Sequence, residues 1–247
     1  LQWRRDSVAE MRTGFDRDLL DTEAQLSWEL WEYQLEMAEM NLPFRRHSYI
    51  FGRNGPQTGL PNDLINYHAV ADISDMQAYI SRLRQSKRYM EQYLERAKLA
   101  AADGIRAPFF DYDRAMNEIQ RVVSGAPFDA AGSSAIWTDI NDKLANLVDT
   151  GVATEEQAAQ LEEAARTALL EYFKPGYDQA LAWLEADRVN VPDHATGASS
   201  LPNGAEYYSA RLKTMTTLPL NADEIHDLGI SEVARIQAEM DDIRRRV

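Results

Sequence analysis

Apolar side chains recur every three or four residues through most of this chain, which is the spacing of one face of an α-helix. In the first clear helix, from about Thr22 to Met40, the recurring residues are Leu26, Leu30, Tyr33 and Met37. Strand-like alternation is nearly absent, and only 189–191 and 218–220 are candidates for short extended pieces. Helical spacing returns at 74–102, 111–124, 134–149, 154–188, 206–213 and 222–246. The pattern predicts an all-α, bundle-like domain with long loops and negligible strand.

Several of these predicted helices begin and end at recognisable signals. Glycines at 104, 125 and 151 follow helical segments, where a left-handed residue commonly ends a helix. Pro175 lies inside 154–188 and predicts a kink or break, because proline lacks an N–H and clashes with the preceding turn. Capping boxes, in which two side chains satisfy free amides at a helix start, are predicted at Thr22–Gln25, Ser74–Gln77, Thr154–Gln157 and Asn221–Glu224.

Two segments interrupt the helical pattern. Residues 41–72 contain several prolines and glycines and are predicted to be a long loop, a feature that is often functional. Residues 189–203 form a second predicted loop, rich in Pro, Gly and Ser. The helices otherwise predict a single domain over 1–247, with possible sub-lobes at 1–125 and 126–247.

Composition excludes several kinds of protein. The 247 residues carry a net charge of −14, from 40 acidic and 26 basic residues. Nucleic-acid binding demands a basic surface, so no nucleic-acid partner is expected. The chain has no cysteine, which rules out disulfides and thiolate zinc ligands within it. It also has no apolar run of eighteen residues, so no transmembrane segment is predicted.

The histidines do not form a recognisable metal motif. None of the four lies four residues from another, the spacing that places two imidazoles on one helical face for zinc. Di-iron bundles use Glu-x-x-His on two helices. Asp223-x-x-His226 approaches that motif, but only once and with the wrong acid. The sequence therefore predicts no metal ligands and no catalytic residue in this chain.

Five residues are candidates for lining a substrate cleft. Arg45 and Arg53 belong to the predicted loop and can clamp a carboxylate such as a peptide C-terminus, or form an ordinary surface loop. Tyr207 and Tyr208 offer phenol groups to a developing oxyanion, or pack in the core with satisfied hydroxyls. His226, in the first turn of the last predicted helix, either contacts substrate or hydrogen-bonds within a helix junction.

Segments along most of the chain resemble a bacterial family catalogued as domain of unknown function 885. The resemblance is carried, in matching order and spacing, by Leu26-Ser-Trp-Glu-Leu-Trp31, Ile50-Phe-Gly-x-x-Gly55 with Leu60-Pro-Asn-Asp, Tyr79-Ile-Ser-Arg-Leu83, Phe173-Lys-Pro-Gly-Tyr177, and 201–240 with its Leu201-Pro-Asn-Gly-Ala-Glu-Tyr-Tyr208 turn. Members look like zinc metallopeptidases, with a His-Glu-x-x-His helix C-terminal to this region. They often begin with a secretory or lipoprotein signal, which the resemblance implies was removed here.

The resemblance implies a larger hydrolase of which this chain is the non-catalytic N-terminal half. Its partners would be the missing C-terminal catalytic half and a peptide substrate. Zinc would belong to the full-length parent, which would be periplasmic or membrane-anchored outside the cytoplasm. The alternative is a self-contained binding or scaffold module that uses Trp28, Trp31 and the long loop as its contact surface. A fragment is expected to expose an apolar face where its other half docks, whereas a complete module is not.

Overall fold

A computed structural model describes residues 1–246, and helices joined by loops make up nearly all of them. No strand occurs in this part of the chain, where one isolated bridge joins Ala126 to Ser133. The all-α prediction is confirmed. The helices are α1 Gln2–Gly14, α2 Thr22–Asn41, α3 Pro56–Tyr67, α4 Ile73–Ala102, α5 Phe109–Val122, α6 Ala135–Asp149, α7 Glu155–Ala168, α8 Lys174–Asp187, α9 Gly204–Thr216 and α10 Ala222–Arg246.

Contacts between residues group the chain into two compact units. The central unit comprises residues 46–196, and the terminal unit comprises 1–45 together with residues from 197 onward. These boundaries differ from the sub-lobe boundary at 125/126, which stays a prediction. Within residues 1–246, no helix is both long enough and apolar enough to cross a membrane.

The central unit is built around α4, whose apolar side chains are buried along its length. Its principal neighbours are α7, α8 and the turn between them, with α3 at one end. The rings of Phe173 and Tyr177 stack at 4.4 Å between centroids inside this core. A Cβ at Gly176 would lie 3.1 Å from the Cα of Lys87, so glycine allows α8 to approach α4 closely.

The predicted break at Pro175 is a change of helix type. Residues Leu169–Phe173 form a π-helical turn that joins α7 to α8 directly before the proline. Because Pro175 has no N–H and its ring clashes with the carbonyl four residues earlier, the regular α-helical bonding cannot continue unchanged. The capping box at Thr154 and Gln157 is also confirmed, with backbone-to-side-chain bonds of 3.2 and 2.9 Å.

The prediction of one long loop over 41–72 is wrong. This segment contains the twelve-residue helix α3 and a short 3-10 turn at 42–44. Pro56 occupies the first turn of α3, where a missing N–H costs nothing and the fixed backbone angle suits a helix. Pro61 lies further inside the helix, where it is buried. Packing against α4, α5 and α6 compensates for the poor helical propensity of this sequence.

Two predicted helix starts are displaced to aspartates. The carboxylate of Asp21 accepts the N–H of Ala24 at 2.8 Å, so Asp21 rather than Thr22 caps α2. Asp72 caps α4 in the same way by accepting the N–H of Asp75 at 2.9 Å. Aspartate is among the strongest N-caps, and its charge also suits the positive end of the helix dipole.

In the terminal unit, α1 runs antiparallel to α2. The order of three ion pairs gives the direction: Arg5 with Glu39, Arg12 with Glu32, and Arg17 with Glu29. The Trp31 indole also donates to the Ser7 hydroxyl at 3.2 Å. Three glutamates spread along α2 are therefore ion-paired with arginines of residues 5–17.

Helix α9 packs against the C-terminal half of α2, and α10 follows α9 along the chain. The Lys213 ammonium contacts the Glu36 carboxylate at 2.5 Å, and Asn41 donates to the Thr214 hydroxyl at 3.1 Å. Reciprocal bonds between Asn221 and Glu224, of 2.8 and 2.9 Å, confirm the capping box predicted for α10.

Candidate functional site

The five predicted cleft residues are distributed over both units. Arg45, Tyr207, Tyr208 and His226 belong to the terminal unit, whereas Arg53 belongs to the central unit. Both arginines are exposed, Arg45 after the 42–44 turn and Arg53 in the turn that precedes α3. The carboxylate clamp and the oxyanion contact that the sequence suggested stay predictions.

A shallow groove in the terminal unit is lined by α9, the helix that also carries the paired tyrosines. It has a volume of about 480 Å³ and is bounded by Met40 and Phe44 on one side and by α9 on the other. The Tyr207 ring packs against Phe44, with centroids 5.7 Å apart, and is half-buried. Tyr208 is 47% exposed, so its phenol is accessible from solvent. The α9 residues that line the groove are Ala205, Glu206, Ser209, Ala210 and Lys213.

The turn that starts α9 fixes the position of this groove. Asn203 adopts the left-handed conformation, with φ of 51°, and precedes the first residue of the helix. Gly204 is needed for a different reason, because a Cβ there would lie 2.2 Å from the carbonyl oxygen of Ala198. The left-handed conformation therefore belongs to Asn203, and Gly204 is required for close packing.

His226 lies in the first turn of α10 with an exposed side chain. Its neighbour Ile225 is half-buried, and every other residue up to Asp241 is exposed. In this structure His226 is therefore open to solvent. A substrate contact at His226 stays a prediction.

A charged network that the sequence did not reveal occupies the central unit. The buried carboxylate of Asp187 accepts hydrogen bonds from Arg106 at 2.8 and 2.9 Å, from the Tyr112 hydroxyl at 2.8 Å and from Asn190 at 2.9 Å. Burial alone would raise the pKa of Asp187, but these donors outweigh it and hold the pKa below its usual value. The network connects the C-terminal end of α8 to Tyr112 on α5 and to Arg106, which precedes α5.

Next to this network lies a small cavity of about 30 Å³. Its wall includes the aromatic rings of Phe51, Tyr112 and Trp183. The centroid of the Trp183 ring lies 6.4 Å from that of Phe51 and 6.3 Å from that of Tyr112. Arg106 also lines it. A volume of this size accommodates about one water molecule rather than a substrate.

A second polar cluster joins α3, α4 and α6. The Tyr79 hydroxyl donates to Asp139 at 2.9 Å, and the Lys143 ammonium contacts the same carboxylate at 2.6 Å. Lys143 also donates to the Leu64 carbonyl at 3.2 Å, near the end of α3, where a cation is favoured by the helix dipole. Burial, followed by the charge of Asp139, raises the pKa of Tyr79 well above its usual range. These contacts hold α3 in place.

An open groove of about 340 Å³ lies between α3, α5 and α6, with mixed apolar and charged walls. The side chain of Gln57, fully buried below it, donates to Glu118 and to the Gly52 carbonyl, both at 2.9 Å. Glu118 and Arg121 border the groove with opposite charges. Three of these central-unit contacts are local in sequence: Asp139–Lys143, Asp187–Asn190 and Gln57–Gly52. The others join residues far apart along the chain, so no local pattern indicates them.

The described residues contain no cluster of potential metal ligands. Among residues 1–246, no three His, Asp or Glu side chains come together in a group that could hold an ion. These residues therefore do not fit the zinc that the resemblance implied for a longer parent.

Comparison with known proteins gives a family and a fold. A family model described as "Bacterial protein of unknown function (DUF885)" matches residues 1–247. The solved structure of "the putative lipoprotein from Colwellia psychrerythraea" superposes with a TM-score of 0.69 at 22% identity, covering 79% of this chain and 32% of that one. This chain thus spans about a third of the length of that protein. No curated protein matches it. The chain belongs to the bacterial family DUF885.

Proposed function

We propose that this region is the N-terminal, non-catalytic part of a zinc-dependent peptidase, and that its terminal unit lines the substrate cleft. The observation that carries the proposal is the groove between Phe44 and α9, whose Phe44 wall packs against the Tyr207 ring at 5.7 Å between centroids. The family resemblance supplies the reaction class. Zinc would be held by residues outside this chain, because residues 1–246 hold no suitable ligand group.

The chemistry of the groove suits an extended peptide. Apolar side chains from Met40 and Phe44 offer contact to a substrate side chain, while Glu206 and Lys213 border the groove with both charges. A phenol hydroxyl, as at Tyr208, donates one hydrogen bond to a carbonyl whose oxygen gains charge during acyl transfer. Because the Asn203–Gly204 turn sets the start of α9, the phenols of Tyr207 and Tyr208 are carried on a fixed helix.

The proposal also places the full-length protein outside the cytoplasm. The structure matched at 22% identity is described as that of a lipoprotein, which supports an extracytoplasmic place for the full-length protein, either periplasmic or membrane-anchored.

Peptide hydrolysis by the full-length protein that carries this sequence tests the proposal. We expect the zinc-loaded protein to cleave peptides, and Tyr207→Phe or Tyr208→Phe to lower kcat/KM by about tenfold to a hundredfold without loss of fold. Tyr67→Phe is the matched control, since Tyr67 is 82% exposed and belongs to the central unit. No hydrolysis of any peptide would overturn the reaction class. Hydrolysis indifferent to both tyrosines would overturn the cleft role alone.

The scaffold alternative was based on Trp28 and Trp31 as a contact surface, and the structure places both against other residues. Trp28 is only 8% exposed, and Trp31 is held by Ser7 and by the Trp3 ring, 5.8 Å away. The expected loop surface is partly helix α3. A binding role without catalysis would have to use another exposed surface, such as the exposed apolar side chains of α10.

A further inference from the structure

Helix α10 carries an apolar face that nothing in the described chain covers. The residues of this face, here called the α10 stripe, are Ile225, Gly229, Val233, Ile236, Met240 and Ile243. None of the 25 residues of α10 is buried, and Val233, Ile236, Met240 and Ile243 are between 45% and 60% exposed. Large contiguous apolar patches of this kind are rare on free surfaces and mark interaction sites.

The spacing of the stripe fits a helical partner. Val233, Ile236, Met240 and Ile243 follow one another at three, four and three residues, the repeat by which two helices interlock their side chains. Gly229 lies on the same face, and no atom lies within 4 Å of a Cβ built there. A glycine at this position lets a second backbone come close, although it costs about 1 kcal/mol of helix propensity.

The charges beside the stripe specify the partner further. The first turns of α10 are acidic, through Asp223, Glu224 and Asp227, and the last turn is basic, through 244–246. Between them Arg235 contacts both Glu232 and Glu239, at 2.7 Å each, so these acids are locally neutralised. In the last turn Arg244 and Arg246 contact Asp241 and Asp242, so the basic charge there is largely neutralised too. The unpaired acidic residues of the first turns therefore specify a helix that is basic where α10 begins.

We propose that the α10 stripe is the seam on which a helix from another part of the same polypeptide docks in the full-length protein. The solved structure that shares this fold is matched over 32% of its length, so a protein of this architecture has ample further chain to supply that helix. This inference rests on the part of the proposed function that places the chain in a longer protein. It does not require peptidase activity.

A second copy of this chain is the competing occupant. Two α10 helices packed antiparallel would place the acidic start of each against the basic end of the other, so charge alone does not separate the two cases. The oligomeric state does. The chain of 247 residues is expected to be a monomer by light scattering, and a dimer that Ile236→Glu dissociates would overturn the proposal in favour of self-association.

The full-length protein provides the direct test. We expect hydrogen exchange over 225–243 to be slow there, and Ile236→Glu to accelerate that exchange and lower the Tm by about 5 °C or more, because it places a charge in the seam. The matched control is Ile230→Glu on the same helix. Ile230 is 60% exposed and lies roughly 110° around the helix from the stripe centre, so this change should have little effect.

Each outcome decides the question. Fast exchange along α10 in the full-length protein, or equal effects of the two substitutions, would overturn the proposed seam. Neither measurement uses hydrolysis as its readout. A failure of the seam is therefore distinguishable from a failure of the proposed peptidase function.

Discussion

Gly204 shows how the absence of one side-chain carbon can fix where a helix starts, and with it the groove that the helix lines. The 198–200 turn lies directly against the start of α9, and the carbonyl oxygen of Ala198 occupies the space where any larger residue would carry its Cβ. Asn203 supplies the left-handed residue that redirects the chain. In many turns a single glycine both adopts the left-handed conformation and allows a close approach; here Asn203 does the first and Gly204 the second.

We predict that Gly204→Ala lowers the free energy of unfolding by about 1–3 kcal/mol, because the added carbon meets backbone that cannot rotate away. In contrast, Gly229→Ala should raise it by up to about 1 kcal/mol in the 247-residue chain, since space is open there and alanine favours a helix. Chemical denaturation of both variants measures the difference. Equal effects at the two positions would contradict the close contact at Gly204.

Asp187 is a second residue on which the stability of the fold depends. Four donated hydrogen bonds converge on its carboxylate, so removing it leaves Arg106 and Tyr112 short of a partner. We predict that Asp187→Asn lowers the free energy of unfolding by about 2 kcal/mol or more at pH 7. Asp178→Asn on the same helix is the control, because Asp178 forms an exposed pair with Lys174 and should contribute little.

The contribution of Asp187 should also depend on pH. Its folded-state pKa is lowered, so the stabilisation is fully present above the unfolded value of about 3.9 and is lost as the pH falls through the lower folded value. The difference between wild type and Asp187→Asn should therefore shrink below about pH 3.9. Denaturation curves measured between pH 7 and pH 3 check the sign. A difference that grows in acid would contradict it.

Among the elements, α1 is held to α2 mainly by side chains that remain in contact with water. The pairs of Arg5 with Glu39 and Arg12 with Glu32 are exposed, as is the pair of Arg17, just after α1, with Glu29. Val8 is the one residue of α1 described as buried. Exposed ion pairs are individually weak and are screened by salt. The helix therefore depends on the ionic strength more than the central helices do.

We predict that raising NaCl from about 0.05 to 1 M, which shortens the screening length several-fold, accelerates amide exchange in α1. Exchange in α4 should change little, since its stability comes from buried apolar side chains. Hydrogen exchange followed by peptide mass analysis compares the two helices in one sample. A uniform response of both helices would contradict the electrostatic origin.

Some elements could be predicted from local sequence and others could not. The capping boxes at Thr154 and Asn221 act within four residues, so their spacing was sufficient. Helix α3 was missed because its prolines and Gly59 are poor helix formers, and tertiary packing outweighs that local preference. Leu26 and Leu30 have helical spacing yet are more than half exposed, because α2 buries Trp28 instead.

At the scale of the whole molecule, the large buried core belongs to the central unit. Every residue of the main apolar cluster lies between Phe51 and Val191. The terminal unit, by comparison, has few buried side chains, among them Val8, Trp28 and Ala210. Independent folding requires a core of its own, so the central unit is the part expected to fold alone.

We predict that residues 46–196, expressed alone, unfold cooperatively and give dispersed amide resonances. The fragments 1–125 and 126–247 serve as controls and should not fold, because that division separates Ile119 from Ile136 and Leu144 within one cluster. Circular dichroism during heating and one two-dimensional NMR spectrum distinguish the cases. Folded halves divided at 125/126 would instead support the sub-lobes suggested by the sequence.

The candidate site was predictable only where its residues are neighbours in the sequence. The paired tyrosines and the Leu201–Gly204 turn are contiguous, so their order alone identified them as one feature. The groove wall formed by Met40 and Phe44 comes from more than 150 positions earlier in the chain, and no local pattern connects it to α9. The Asp187 network was hidden likewise, since Arg106 and Asp187 are 81 residues apart.

The π-helical turn at Leu169–Phe173 has a consequence for the history of this chain. A π turn closes its hydrogen bonds over one residue more than an α turn, so it is the geometry by which a helix accommodates one additional residue. An alignment of relatives should then contain members one residue shorter between α7 and α8. In those members α7 and α8 would read as one uninterrupted helix, and the position of Pro175 would tolerate other residues.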